Sequence, residues 1–363
     1  MTREELQSNG AKFLEKRRRL ICQWSTGVGK SGVVLNFIKA HPGISVLIFV
    51  PEQNNIQNWV FEFEKFGVSI ENVTISCYAS IHKYENTRWN LLVFDEAPHV
   101  ETEKRAAICK TINAEYVLAL GAVVTDDERY TLESLYGNFL VWRINLHQAI
   151  EWGLLPAPTV NILHMQIDDK ERLYLKDGRK LTAKQYYDVI QNEVKKAVDA
   201  FNAQSTEFNR VKMLRAGSER KRFLGKLKED AALKICQRLN RENKRFLCFC
   251  SSIEQAEKLG KDRAFTSKTS AALDLLEKFN NEEINSLYVV GKLIEGQNLK
   301  NIHCGVIVQL GGTNRITVQE CGRIMRSSDP VIYAPVFDGT KDDSFLTTLT
   351  YNVPEECVKH YNF

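Results

Sequence analysis

Short apolar runs alternate with longer amphipathic stretches along most of the chain. In the first half, apolar runs predict buried strands at RLICQWS, SVLIFVP, VTISCY, NLLVFDE and YVLALG. Stretches between them, such as NNIQNWVFEFEKF, have the three- to four-residue spacing of helices. Strands that are apolar on both faces and separated by helices are typical of parallel sheets. The pattern therefore predicts one open α/β sheet that ends near residue 145.

A domain boundary is predicted where the segment LHQAIEWGLLPAP ends a helix with Gly153 and two prolines. This divides the chain into residues 1–157 and 158–363. From Asp168 to about Asn243 the chain is polar with helical spacing, which predicts a helical segment. A second strand series then predicts a second α/β unit, with strands at RFLCFCSS, SLYVVGK, CGVIVQL and PVIYAPVFD.

Composition agrees with two globular units. The chain has 363 residues, of which 44% are hydrophobic and 26% charged, so its length suggests about two domains of roughly 150 residues each. It has no apolar run long enough to span a membrane, and its charged start, MTREELQ, does not resemble a secretory signal. We therefore expect a cytoplasmic protein without a membrane partner. The nine cysteines fall mostly in apolar runs and are predicted to be buried thiols rather than zinc ligands.

A phosphate-binding loop is predicted directly after the first strand. Thr26, Gly27, Val28, Gly29 and Lys30 stand between that strand and an apolar helical pattern that begins with Ser31. Glycines let backbone N–H groups converge on phosphate oxygens, and the helix N-terminus adds partial positive charge. Lys30 is predicted to contact the β- and γ-phosphates and Ser31 to bind Mg²⁺. Trp24 replaces the first glycine of the full pattern.

Two carboxylates complete this predicted site. The apolar run from Leu91 to Phe94 ends in Asp95 and Glu96. Asp95 is predicted to hold Mg²⁺, and Glu96 to take a proton from the attacking water. An Asp-Glu pair after a strand is also common at solvated strand ends, but its position two predicted strands after the loop favours the catalytic interpretation.

Taken together, the motifs resemble those of superfamily 2 helicases over nearly the whole chain. The resemblance covers the Walker A loop STGVGKS, motif Ia in VLIFVPEQNNIQNW, motif Ib in VTISCYASIHK, motif II in LLVFDEAPH, motif IV in RFLCFCSSIEQAEKL, motif V in VVGKLIEGQNLK and motif VI in QECGRIMR. It implies two RecA-like lobes of the P-loop NTPase class, with ATP and Mg²⁺ in the cleft and nucleic acid across the top. The helicases and translocases of phage and restriction systems are the most similar members.

The resemblance also implies roles for individual residues. Arg326 would be the arginine finger, Arg323 its companion on the phosphates, and Gln319 a residue that positions water or reports the nucleotide state. Gln7 stands where many members place a glutamine that reads adenine. In motif V, the nucleotide would meet Glu295 and Gly296.

Three positions depart from the family pattern. Pro98 replaces the usual His or Asp of motif II, and Glu320 replaces a common arginine of motif VI. Motif III is Leu120–Val124, which lacks the usual hydroxyl side chains. These changes leave the catalytic groups in place, but they affect the residues to which the coupling of hydrolysis and strand separation is attributed.

Candidate nucleic-acid contacts follow the predicted strands. Parallel sheets bind ligands at the carboxyl ends of their strands, where this chain places Gln53, Asn54, Ser80, Ser251 and Ser252. Plain helix capping is the alternative interpretation for each of them.

Local charge adds a second candidate surface within a net charge of only +4. From Arg210 to Arg245 there are thirteen Lys and Arg residues against four acidic ones, including consecutive Arg220, Lys221 and Arg222. This predicts phosphate contacts, and the alternative is a solvated helix face.

The predicted function is an ATP-dependent DNA helicase or translocase, with a protein partner expected to supply specificity. DNA is favoured over RNA as the nucleic acid, and a bacterial or phage-infected cytoplasm is the expected location. Two alternatives remain open: an RNA helicase, and an ATP-gated nucleic-acid clamp without productive unwinding.

Overall fold

A computed structural model places the chain in two lobes, each built on its own parallel sheet. It describes residues 1–97, 103–170, 172–174, 178, 180–269, 272–290, 299, 301–310, 322, 324–325, 327–351 and 353–363. Among these residues, no helix is long and apolar enough to cross a membrane.

Lobe 1 alternates helices and strands from the first residues onward. Its helices are α1 (Arg3–Arg17), α2 (Ser31–Ala40), α3 (Gln53–Phe66), α4 (Glu103–Cys109), α5 (Asp126–Tyr136) and α6 (Leu146–Glu151). Its strands are β1 (Arg19–Trp24), β2 (Val46–Val50), β3 (Val73–Cys77), β4 (Arg88–Asp95), β5 (Asn113–Gly121) and β6 (Leu140–Ile144). A 3₁₀ helix covers Tyr78–Tyr84.

The strand order of lobe 1 brings the predicted catalytic segments together. All strands are parallel, in the order β3-β2-β4-β5-β1-β6. Cys22 of β1 and Asp95 of β4 both pair with Leu120 of β5, so they lie in one row about two strand spacings, or ~10 Å, apart. The loop that follows β1 and the acidic pair that ends β4 therefore share one edge of the sheet.

Lobe 2 begins with strand β7 (Thr159–Met165). Its other strands in the main sheet are β10 (Phe246–Cys250), β11 (Ala264–Phe265), β12 (Ser286–Val290), β13 (Cys304–Ile307), β14 (Val331–Phe337) and β15 (Val358–Asn362). The order is β11-β12-β10-β13-β14-β7-β15, again parallel throughout. Its helices are α7 (Ala183–Ala203), α8 (Glu207–Leu227), α9 (Glu229–Arg241), α10 (Ile253–Gly260), α11 (Ala272–Asn280) and α12 (Lys341–Thr350).

The two parallel-sheet lobes and the helical segment confirm the predicted fold class. The sheets change over between Ile144 and Thr159, which supports a boundary at 157/158, although that boundary remains a prediction. One expectation was wrong in detail: the segment predicted to be purely helical starts with an antiparallel hairpin of β8 (Arg172–Tyr174) and β9 (Lys180–Thr182). These strands are only three residues long, so they carry too little apolar alternation to be recognised in the sequence.

A buried ion pair joins the helical segment to the second sheet. Lys228, at the junction of α8 and α9, is fully buried, and its Nζ lies 2.6 Å from Oδ2 of Asp342 at the start of α12. Gln309, after β13, accepts from Lys228 at 3.1 Å and donates to Asp342 at 2.9 Å. The backbone N–H of Phe337 also donates to Asp342. Every charged or amide group in this cluster therefore has a partner.

Candidate active site

The loop between β1 and α2 is a tight glycine turn. Gly27 and Gly29 have φ values of 90° and 96°, which disfavour residues with a Cβ atom. Helix α2 begins at Ser31 with no side chain capping its N-terminus. A turn of this kind ahead of an uncapped helix is the geometry in which backbone N–H groups bind phosphate.

Gln7 of α1 packs directly against this loop. Its side chain is buried, and its Nε2 donates to the carbonyl oxygen of Gly29 at 2.8 Å. A Cβ atom on Gly32 would lie 2.2 Å from Cδ of Gln7, so only glycine leaves room for the amide there. Gln7 therefore holds the loop in shape, and its reading of adenine stays a prediction.

Lys30 and Ser31 both have protein partners in this structure. The ammonium of Lys30 donates to the carbonyl oxygen of Trp24 at 3.0 Å, which brings it across the mouth of the loop. The hydroxyl of Ser31 donates to Oε2 of Glu62, on helix α3, at 3.0 Å.

Asp95 lies in an unfavourable electrostatic environment. Burial, followed by the negative charge of neighbouring Glu96, raises its pKa to about 6 from an ordinary 3.8. A hydrogen bond from Nε1 of Trp59 to its Oδ2, at 2.8 Å, and the charge of Lys30 oppose this rise. A carboxylate held beside another acid is stabilised when a cation binds it.

Glu96 has a strained backbone. Its φ of 51° lies in the left-handed region, which costs a non-glycine residue about 1 kcal/mol or more. Such conformations persist where the surrounding structure imposes them. The hydroxyl of Tyr78 donates to the carbonyl oxygen of the preceding Asp95 at 2.9 Å and helps to fix this strand end.

The second lobe touches the loop through motif VI. A Cβ atom added to Gly322 would lie 2.5 Å from Cβ of Thr26, so the backbone at Gly322 lies directly against the loop. Ile324 and Met325 are buried, and Ile324 packs against Gly305 of β13 in lobe 2. The predicted residues Gln319, Arg323, Arg326, Glu295 and Gly296 lie outside the described residues, as does Pro98.

These side chains fit a magnesium nucleotide. Ser31 and Asp95 carry oxygen atoms of the kind that Mg²⁺ prefers, and the charge of Lys30 in the loop acts on Asp95. Among the described residues, no group of three acidic, His or Cys side chains is arranged to hold an ion. Mg²⁺ usually binds one or two protein oxygens together with substrate phosphates and water, so this smaller ligand set is consistent with it.

The predicted nucleic-acid contacts have different surroundings. Gln53 and Asn54 form the exposed first turn of α3, and Ser80 lies in the 3₁₀ helix after β3. Ser252 caps α10 by accepting from the backbone of Gln255, and Ser251 donates to the Gln255 side chain. Capping therefore accounts for both serines without a nucleic acid.

In the basic segment, Arg220 differs from its neighbours. Its side chain is buried and donates to Oε1 of Gln191 at 2.7 Å, and burial lowers its pKa. This packing disfavours the predicted phosphate contact at Arg220. Lys221 is half-buried and Arg222 is exposed, so both remain candidates.

Sequence analysis did not select Trp59, Glu62 or Tyr78. Trp59 and Glu62 are three residues apart on α3, a spacing that places them on neighbouring parts of one helix face. That spacing was the available signal, but helical periodicity alone does not distinguish a core residue from one that contacts a site.

Comparison with known proteins gives a consistent result. No protein-family model matches the chain. It is 23% identical over 372 residues to the DNA 3'-5' translocase XPB2 of Sulfurisphaera tokodaii, covering 93% of this chain and 82% of the relative.

Two solved structures are similar in fold. The helicase domain of Pyrococcus furiosus Hef superposes with a TM-score of 0.57 at 13% identity, over 94% of this chain and 96% of that one. The type ISP restriction-modification enzyme LlaBIII, bound to DNA, gives 0.59 at 14% identity, over 99% of this chain but 31% of its own. The relative and both structures match this chain over at least 93% of its length, so the chain is similar to a DNA translocase in sequence and to a helicase domain in fold.

Proposed function

We propose that the chain is an ATP-dependent DNA helicase or translocase that hydrolyses ATP in the cleft between its lobes. The observation that carries this proposal is the contact of Gly322 with Thr26, because it brings the motif VI backbone onto the phosphate loop. A motor needs a site that both lobes complete, so that nucleotide state and lobe position depend on each other. The assignment to DNA is supported by the relative named a DNA translocase.

Each residue of the site has a distinct task in this proposal. The loop amides and Lys30 bind the phosphates, and Ser31 and Asp95 hold the metal ion. A metal ion held by these residues would supply positive charge next to the nucleotide phosphates. Glu96 accepts the proton of the attacking water, and Arg326 stabilises the charge that develops on the transferred phosphoryl group.

We further propose that the protein moves along DNA or remodels it more readily than it separates long duplexes. Val124 is buried in the apolar cluster that contains Phe94 and Leu92, and its side chain offers no hydrogen bond. Coupling requires contacts that differ between two states, and a packed valine has no polar contact to exchange. A protein partner and a location in phage-infected or bacterial cytoplasm stay predictions.

Steady-state ATP hydrolysis with duplex DNA, with RNA and without nucleic acid tests the proposal. We expect duplex DNA to stimulate turnover severalfold and more than RNA does. Stronger stimulation by RNA would favour the RNA helicase, and tight DNA binding with little turnover would favour the clamp. Efficient unwinding of duplexes of several tens of base pairs by the protein alone would contradict the translocase preference.

A further inference from the structure

We propose that helix α3 couples bound DNA to the metal-holding side chains, with Trp59 and Glu62 as the positioning residues. This inference rests on the proposed function and deepens it. The helix carries candidate DNA contacts at its exposed start and hydrogen-bonds both predicted metal ligands from its middle. It therefore offers a route between the two sites that does not pass through motif III.

Two hydrogen bonds join α3 to the metal ligands. Trp59 donates from Nε1 to Oδ2 of Asp95 at 2.8 Å, and Glu62 accepts from the hydroxyl of Ser31 at 3.0 Å. A serine hydroxyl has one proton and two acceptor lone pairs, so donation to Glu62 turns the lone pairs away from that carboxylate. The indole N–H likewise occupies one acceptor position of Asp95 and fixes the rotation of its carboxylate. Removing a group that orients a metal ligand in this way typically lowers the metal affinity by about 10–100-fold.

Helix α3 is one continuous helix that joins the candidate DNA contacts to Trp59 and Glu62. Trp59 and Phe63 are buried and in ring contact, so one face of α3 is held against the lobe 1 core. Gly67 ends the helix in a left-handed conformation, with its N–H and that of Val68 bonded back to the last turn. Trp59 lies about 9 Å along the axis from Gln53, at 1.5 Å per residue.

A small shift of α3 changes both metal ligands at once. Gln53 and Asn54 lie in its exposed first turn, where contacts with a DNA backbone would displace the helix. Displacement or rotation would lengthen the Trp59–Asp95 and Ser31–Glu62 bonds together, because the two donor–acceptor pairs share one helix. DNA would then alter the affinity for Mg²⁺-nucleotide, and by thermodynamic reciprocity the nucleotide would alter the affinity for DNA.

The test is the effect of DNA on the binding of a fluorescent ADP analogue, measured with Mg²⁺ and with EDTA. In the wild-type protein we expect DNA to change the Mg²⁺-dependent affinity by about fivefold or more. In Trp59→Phe and Glu62→Ala this factor should fall towards one, whereas the affinity in EDTA should change little. Glu62→Gln retains an acceptor for Ser31 and should keep most of the factor.

Two matched variants control for simple destabilisation. Trp89→Phe removes an indole that donates to Oγ1 of Thr87 at 2.9 Å, away from the site, and Glu64→Ala removes an exposed carboxylate from α3 itself. Both should keep the wild-type factor. The role of α3 would be overturned if DNA changed the nucleotide affinity of Trp59→Phe and Glu62→Ala as much as that of the wild type. An equal loss of this DNA effect in the two control variants would also overturn it. Absence of any DNA effect on wild-type nucleotide binding and hydrolysis would instead overturn the proposed function, and this inference with it.

Discussion

Each lobe holds an aspartate that is largely withdrawn from water, and the two differ in what surrounds them. Asp342 in lobe 2 is fully buried and accepts from Lys228, Gln309 and the backbone of Phe337. Asp95 in lobe 1 accepts from the Trp59 side chain, and burial together with the negative charge of its neighbour Glu96 raises its pKa to about 6.

This is the difference that we expect between a structural carboxylate and the proposed metal ligand. A buried charge is tolerated when a counter-charge and hydrogen bonds compensate it, as they do at Asp342. At Asp95 the protein supplies less compensation, and the environment still favours an added cation. The balance of local charge is therefore more informative about function than burial.

The largest expected effect is on hydrolysis, at the acidic neighbour of Asp95. Glu96→Gln should lower ATP turnover by about 100- to 10,000-fold, because glutamine does not accept the proton of the attacking water. Nucleotide affinity should be retained, since the amide also removes a repulsive charge beside Asp95. Phosphate release and nucleotide titration measure the two quantities, and near wild-type turnover would contradict the assignment of Glu96.

The next effect is on stability, in lobe 2. Lys228→Met leaves Asp342 buried without its counter-charge and should lower the free energy of unfolding by about 3–5 kcal/mol. The double variant Lys228→Met, Asp342→Leu should recover part of that loss, because it removes both charges at similar volume but leaves Gln309 and the Phe337 N–H without these partners. Urea unfolding of both variants measures this, and equal destabilisation by the single and double variants would argue against the pair.

Asp95→Asn should change the free energy of unfolding less than Lys228→Met does, and in the opposite direction. Because the pKa of Asp95 in the folded state lies above its ordinary value, its contribution to stability is greatest below pH 4 and is lost as pH rises through about 6. At pH 7.5 without Mg²⁺, the asparagine variant should therefore be more stable than wild type by about 1–2 kcal/mol.

Thermal unfolding across this pH range, with and without Mg²⁺, checks the prediction. The stability difference between the variants should disappear near pH 4, and Mg²⁺-nucleotide should stabilise only the wild type appreciably. The matched change Asp342→Asn should destabilise the protein at pH 7.5. If both substitutions stabilised the protein instead, the distinction between the two aspartates would be wrong.

The same distinction applies to the basic segment, with the smallest expected effect. Reversing charge at Lys221 and Arg222 should weaken DNA binding at every sequence and make the plot of log affinity against log salt shallower by about 2, roughly one for each lost phosphate contact. Arg220→Gln is the control, because its buried side chain bonds Gln191. An unchanged slope in the double variant would indicate that Lys221 and Arg222 only solvate the helix.

The elements that could be predicted from the sequence are those that a run of neighbouring residues identifies. Strands such as β2 and β10 are buried at every position, so their apolar runs identify them directly. The polar edge strand β15, with the sequence VKHYN, is mostly exposed and was not predicted, because pairing with β7 defines it rather than burial.

The candidate site follows the same rule. The glycine loop and the Asp95–Glu96 pair are contiguous in the chain, so their spacing revealed them. Trp59 contacts Asp95, which is 36 positions later in the chain, and Gly322 of lobe 2 contacts Thr26 of lobe 1. Neither contact has a local sequence signal, because the fold alone brings those residues together.

The position of β7 has a consequence for how the chain is synthesised. Lobe 1 draws its strands from one continuous stretch, but β7 is made first in lobe 2 and lies between β14 and β15. Asn161 of β7 bonds Ile332 of β14, 171 positions later. At roughly 5–20 residues per second, a ribosome needs about 10–30 s to supply that partner. During this interval every strand of lobe 1 has already been synthesised, whereas β7 still lacks both of its neighbours in the sheet.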